Sequence, residues 1–204
     1  MVKAKKPKPK TCRICKSKFS PSLSTQIVCS TSCAIQHGKA QSAKQAERKA
    51  IAERKAHREK KQLLKKLPEW NKEAQIAFNR FIRWRDYGKD CASCGRPLAW
   101  ENKNLTGSSI DASHYRSRGA ASQHRFNVFN VHAACTRCNR QLSGNAVEFR
   151  LRLIQRIGIE KVEAIESENT PRKFDIEYLK RIKAVFNRRA RHYEKLRKRH
   201  SEVV

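Results

Sequence analysis

The chain has 204 residues, with 47 Lys or Arg against 18 Asp or Glu, for a formal net charge of +29 at pH 7. That length allows one or two domains with modest cores. A charge of this size repels itself in the folded state and points to a polyanionic partner, with nucleic acid first and an anionic membrane second. No apolar run approaches the roughly 18 residues of a membrane span, and the N-terminal "MVKAKKPKPKTC" lacks the apolar core of a secretory signal. It reads as an unstructured basic arm.

All eight cysteines fall into close pairs: Cys12/Cys15, Cys29/Cys33, Cys91/Cys94 and Cys135/Cys138. Such spacing suits thiolates converging on a tetrahedral metal, and it predicts two structural zinc sites, one per pair of pairs. Residues 11–38 form the first module: the turn "CRIC", a short polar hairpin, then "CSTSC" opening a helix. Twenty-eight residues cannot build a core alone, so metal must supply much of the folding free energy.

From 34 to 66 the chain is rich in Ala, Lys, Glu, Gln and Arg, with eleven Lys/Arg against three Glu. These residues favour helix and leave little to bury, so the segment reads as a solvated basic linker helix that Leu67-Pro68 ends. In 69–87, Trp70, Ile76, Phe78, Phe81, Ile82 and Trp84 recur at helical spacing, and Gly88 closes the helix. That spacing makes Trp70 and Trp84 core residues in preference to base-stacking platforms, and Trp100 is read the same way. The central module then offers the knuckle "CASCGRPL", a strand in "SSIDASHY" and a second knuckle, "ACTRCNRQLSGN", starting a helix. One helix over 146–166 and another over roughly 174–200, with a dense basic face, complete the chain.

The central module gathers polar groups of a particular kind. A hard divalent cation at a phosphodiester needs oxygen or imidazole ligands, with coordination positions left open for water and phosphate. A His can take a proton from attacking water near neutrality. Asp111 and His114 share the strand, Asn130 precedes Cys135 by five residues, and Asn139 follows Cys138. Zinc on Cys91, Cys94, Cys135 and Cys138 would hold strand and helix together so that these side chains converge. The bland alternatives stay open: His114 bonding a carbonyl, Asn130 capping a turn; His132, two residues from Asn130, could face the same site but reads first as a packed or surface His. His124 and Asn127 carry no signal beyond a polar loop.

The order Cys-x-x-Cys, Asp-x-x-His, Asn-x₄-Cys-x-x-Cys-Asn resembles the HNH, or ββα-metal, endonucleases. More closely, "DASHYRS", "RFNVFNVH", "CTRCNRQLSGN", "LIQRIG" and "CRIC…CSTSC" resemble the NinG (Rap) recombination proteins of lambdoid phages, over essentially the whole chain. The resemblance implies a small, zinc-organised α+β protein: basic arm and zinc knuckle module in 1–38, basic helical linker in 39–68, an HNH-like, treble-clef nuclease module in 69–145, and basic C-terminal helices in 146–204. It implies His114 as general base, Asp111 and Asn139 as ligands of a catalytic Mg²⁺ or Mn²⁺, and Asn130 as the residue that orients the catalytic loop. Two departures stand out. Ser113, not an acid or His, directly precedes the base, and Asn139 holds the third motif position. Residues three apart on a regular strand face opposite sides, so either a bulge brings Asp111 round to His114 or Asp111 is structural.

The expected function is a metal-dependent endonuclease acting on branched DNA, such as Holliday junctions and D-loops, in the cytoplasm of an infected bacterium. The alternative is a non-catalytic zinc-finger protein that binds and bridges branched DNA. Junction symmetry is compatible with a homodimer, and phage or host recombination proteins are further candidate partners.

Overall fold

The computed structural model describes residues 8–100 and 110–201, of which the side chains of 200 and 201 are left aside. The N-terminal arm therefore lies, through residue 7, outside the described residues, as do Ser108 and Ser109 of the expected strand. The chain divides into two compact units, Met1–Lys65 and Lys66–Val204. Among the described residues no helix is long and apolar enough to cross a membrane.

In the first unit, strands β1 (Lys10–Thr11) and β2 (Lys18–Phe19) pair antiparallel and enclose the Cys12–Cys15 turn. The hairpin was expected after this turn; it wraps the turn because Lys16, at φ 63°, reverses the chain immediately beyond Cys15. Ser30 then caps α1 (Thr31–Leu63), accepting from the Cys33 N–H at 3.3 Å. At 1.5 Å per residue the helix runs about 50 Å. Only Cys33 along it is buried.

The second unit opens with α2 (Leu67–Arg85), and Pro68 sits in its first turn, where a missing N–H costs nothing. Leu67-Pro68 thus begins a helix, while α1 has already ended at Leu63. The apolar stripe of α2 packs on α5 (Ile176–Ser201): Trp70, Phe78, Phe81 and Ile82 meet Leu179, Phe186 and Ala190. Phe78 is fully buried at the centre, its ring 4.7 Å from that of Phe186 and nearly perpendicular to it. Ion pairs Arg80–Glu194 (2.7 Å) and Lys183–Glu73 (2.8 Å) flank this seam.

Strands β3 (Ile110–His114) and β4 (Val131–Cys135) form an antiparallel ribbon, with Ile110 opposite Cys135 and His114 opposite Val131. Asp86, fully buried beyond α2, fastens that helix to β4 by accepting from the Ala133 N–H at 3.0 Å. Trp70 and Trp100 are buried and Trp84 packs beside the α2–α5 core, so all three serve packing.

Two expected helices change form. The segment after Cys135 makes one wide turn, Arg137–Gln141, closed by Leu142 N–H to Arg137 O at 3.0 Å. Ser143, Gly144 and Asn145 then all adopt positive φ, which stops a helix from continuing. The single helix expected over 146–166 is two, α3 (Ala146–Ile157) and α4 (Ile159–Ser167), broken at Gly158 with φ 86°. Both halves bury an apolar stripe, so the periodicity ran through the break. Phe149, Leu153 and Val162 close a small core over Ala92.

Candidate functional site

Each cysteine quartet converges. The four sulfur atoms of Cys12, Cys15, Cys29 and Cys33 lie within 4.8 Å of one another, as do those of Cys91, Cys94, Cys135 and Cys138. Both clusters could hold a metal, and four thiolates are the donor set of structural zinc. Burial disfavours ionisation of Cys12, but the N–H groups of Ile14, Cys15 and Cys29 outweigh it and bring the thiol to about 6. Cys91 likewise falls to about 7 against burial, through the N–H groups of Cys94, Cys135 and Ser93. In each cluster another thiol moves the opposite way. Cys29 rises to about 12, chiefly beside Cys15 and Cys12, and Cys138 rises to about 12 through burial. Cys15 is lowered as well, chiefly by the Ser17 hydroxyl, so part of each set deprotonates readily while other thiols are held back, and the full set of thiolates calls for a divalent cation.

A cavity of about 360 Å³ opens along β3, and Asp111, His114 and Asn139 all line it. The β3–β4 ladder is one-to-one, so no bulge brings Asp111 towards His114. A two-stranded ribbon twists strongly, and the cavity follows it from Asp111 to the end of the strand. Asn139 reaches across from the wide turn and donates through Nδ2 to Asp111 Oδ2 at 3.0 Å. Arg140 grips the same carboxylate twice, Nε to Oδ2 at 2.8 Å and Nη2 to Oδ1 at 3.0 Å. Burial alone would raise the Asp111 carboxyl; hydrogen bonds from Arg140 and Asn139 hold it below its ordinary value. It is an anion.

His114 is oriented by the chain. Its Nε2 lies 3.1 Å from the Arg125 carbonyl, so the ring proton sits there and Nδ1 keeps the lone pair. Burial pulls the imidazole down to about 4, against that hydrogen bond, and the charges of Arg118 and Arg125 add to the fall. Near neutrality the ring is uncharged and able to accept a proton.

Asn130 does not reach the cavity. It is fully buried, its Oδ1 accepting from Arg116 N–H at 2.8 Å and its Nδ2 donating to the carbonyls of Arg116 (3.0 Å) and His124 (3.2 Å). It therefore ties the ends of the 115–130 loop together, the loop whose Arg125 carbonyl aligns His114. Asn130, expected among the catalytic residues as the one that orients the loop, is placed to hold that loop and does not line the cavity. Arg116 extends this brace by donating to the carbonyls of Ile165 and Glu166 in the last turn of α4 and of Glu168 just beyond it. His132 also faces elsewhere: Nε2 meets Phe129 O at 3.1 Å and Nδ1 meets Arg85 at 3.1 Å. His124 is buried, with Asn127 Nδ2 at 3.2 Å from its Nδ1.

Residue reasoning missed the cations of the cavity. Arg83 and Asn79 come from α2, one helical turn apart, and Arg118 lies four residues past His114. Their cue, a basic residue at fixed spacing from a site residue, was hidden among 47 Lys and Arg. Burial lowers Arg83 and nearby Asp111 opposes the fall. The cavity thus combines one anionic carboxylate, a neutral imidazole and three guanidiniums, a lining suited to a phosphate and a cation together.

A family profile described as Bacteriophage Lambda NinG protein matches residues 4–197. The chain belongs to the NinG family. It is 37% identical over 195 residues to protein ninG of Escherichia phage 933W, covering 90% of this chain and 93% of that relative. Protein ninG of Enterobacteria phage H19B is 39% identical over 207 residues, with the same coverage of 90% and 93%. Against protein ninG of Escherichia phage lambda, identity is 44% over 130 residues, covering 64% of this chain and 60% of the relative. No solved structure matches the chain.

Proposed function

We propose that this protein is a divalent-metal-dependent, HNH-like endonuclease that hydrolyses phosphodiester bonds in branched DNA, Holliday junctions and D-loops among them, with its nuclease module in 69–145. The observation that carries the reading is the convergence of Asp111, His114 and Asn139 on one arginine-rimmed cavity, in a chain of net charge +29. Asp111 and Asn139 would hold the cation. One carboxylate and one amide oxygen, with the remaining positions left to waters and phosphate, form the sparse donor set that Mg²⁺ accepts. When bound, Mg²⁺ or Mn²⁺ supplies positive charge to the pentacovalent phosphate and to the leaving 3′-oxygen.

His114 acts first. Its Nδ1 takes a proton from a water as the water oxygen bonds to phosphorus, and the bond to the 3′-oxygen breaks on the far side. The 3′-oxygen is protonated from solvent. A phosphate entering beside Arg118 offsets its charge and makes His114 more basic where the proton is needed. Arg83, Arg118 and Arg140 bind and orient the phosphate. The zinc quartets hold the turns in shape, and a two-fold junction would be served by two chains.

One observation favours a second reading. The bidentate Arg140–Asp111 pair also suits a purely structural carboxylate, as in a non-catalytic zinc protein that bridges branched DNA. Nicking of a junction by His114→Ala separates the two. Under the nuclease reading cleavage falls by about 10² or more while junction binding persists. Asn139→Ala should be partly rescued by raised Mg²⁺ or Mn²⁺. Cleavage by His114→Ala at the wild-type rate, with contaminating nuclease excluded, would leave the bridging protein as the better account.

A further inference from the structure

A second cavity, of about 460 Å³, lies on the other side of α2, between that helix, the residues before β4 and α5. Asn79 and Arg83 face the first cavity, whereas Phe81 and Arg85 line the second. Two residues of helix turn the chain by about 200°, so the helix body separates the two sites. The volume falls in the range of roughly 300–1,000 Å³ usual for sites that enclose a small molecule or a nucleotide-sized group.

The walls alternate rings and cations. Phe81, Phe129 and Tyr193 supply aromatic faces, and Lys89, Arg156 and Arg189 stand among them. Asp86 is the one acid in the lining, and Arg85 already pairs with it at 2.7 Å. The cavity is therefore strongly positive. Phe129 is 43% exposed, an apolar ring left at the mouth. Arg156 donates to the Asp90 carbonyl at 2.6 Å, yet its Nη1 is buried with no hydrogen-bond partner. A donor left in that state is costly, and an acceptor brought into the cavity would relieve it after a small turn of the guanidinium.

Lys161 covers one face of the Phe129 ring at 5.1 Å, and aromatic rings set among Lys89, Arg156 and Arg189 match one kind of guest, a base that stacks together with a phosphate that pairs. A metal cation is repelled, and an acidic peptide would leave the rings unused. We propose that this cavity receives one unpaired nucleotide of branched DNA, its base against Phe129 and Tyr193 and its phosphate on Arg156 and Arg189. The proposal rests on DNA being the substrate and adds a source of branch selectivity. Intact duplex has no unpaired base to offer, whereas a strand leaving a branch point does. With α2 about 10 Å thick, one strand is held at the cleavage pocket while a displaced nucleotide is held behind the helix.

The test uses the full zinc-loaded chain with no added Mg²⁺ or Mn²⁺, so that only binding is read. Duplexes carrying a one-nucleotide bulge of pyrrolocytosine, the same bulge without its base, or no bulge are titrated in parallel. The analogue's fluorescence should fall saturably as it stacks, and loss of the base should weaken binding about tenfold. Phe129→Ala, a change at an exposed ring, should abolish that base effect and leave perfect-duplex affinity as it was. Arg189→Gln should lower the slope of log affinity against log salt by about one for the bulged duplex. Equal affinity for the bulge with and without its base overturns the proposal. So does saturable binding of polyglutamate that both variants weaken with no base effect on DNA, which assigns the cavity to acidic peptides. No cleavage takes place in this assay, so its failure leaves the His114→Ala test standing, and failure of that test leaves this one readable.

Discussion

Around Cys12, Cys15, Cys29 and Cys33 the first unit buries almost nothing: among its described residues only Cys12, Pro21 and Cys33 are buried. Cys91, Cys94, Cys135 and Cys138 sit instead among Leu98, Trp100, Ile110, Ala133 and Ala134, beside a separate aromatic core between α2 and α5. The same four-thiol device thus does two jobs. In the first unit a bound metal would substitute for a hydrophobic core, because a short strand pair and a polar helix offer too little apolar surface to fold. In the second it would trim the geometry of a ribbon and a turn that packing already supports. What a metal site contributes depends on how much core surrounds it.

The largest effect expected from this contrast is metal loss. Structural zinc sites supply about 10–16 kcal/mol of binding free energy near neutrality, far more than the first unit has from other sources. Cys12→Ser should therefore release one zinc and remove hydrogen-exchange protection from residues 9–33, with the second unit unchanged. Cys135→Ser should also release one zinc, loosening β4 and the turn that presents Asn139, while α2 and α5 stay protected. Metal analysis returning no zinc from mildly purified protein, or Cys135→Ser erasing protection in α2 and α5, would break the comparison.

Acid sharpens it next. His132 is buried and lowered to about 4 by burial and by the Arg85 charge, against the pull of Asp86. Its unfolded value is near 6.5. The unfolded state thus binds the proton first, and stability falls as pH drops from about 6.5 to about 4, by up to ~3 kcal/mol for this one group. All three tryptophans belong to the second unit, so their fluorescence follows that unit alone. Urea unfolding so monitored should show the decline, and His132→Gln, which cannot gain the proton, should roughly halve it, because His114 is lowered to about 4 in the same unit. Equal slopes would remove His132 as the cause.

A smaller effect tests the brace. Asn130→Ala removes the partner of the Arg116 N–H and of the Arg116 carbonyl, while the His124 carbonyl keeps the Asn127 N–H, at a cost of about 1–3 kcal/mol. Its midpoint should fall in the tryptophan-monitored transition and not in the first unit's hydrogen exchange. Cleavage should fall with it and recover in part at lower temperature, where the loop is held. An unchanged midpoint would mean the loop is fixed by Arg116 and α4 alone.

The signals legible in the chain were local ones. Cysteine pairs two or three residues apart, the 3.6-residue apolar period of α2 and the polar run of α1 depend on near neighbours, and residues fixed them without tertiary help. The same locality explains the errors. The period of 146–166 is blind to the one residue that leaves helical space, so Gly158 passed as helix interior. Asp111 and His114 seemed to require a bulge because alternation describes a flat strand, and the twist of an isolated ribbon is a property of the pair.

Sequence determined which cysteines gather as two sets able to hold a metal, and which polar residues were worth following. Only the tertiary structure decided that Asn130 faces a buried loop and His132 an inner ion pair while His114 lines an open cavity. It also decided which three of the many arginines join Asp111 there. Those outcomes depend on groups brought together across dozens of residues by packing, and the sum of many weak contacts leaves no mark at any single position.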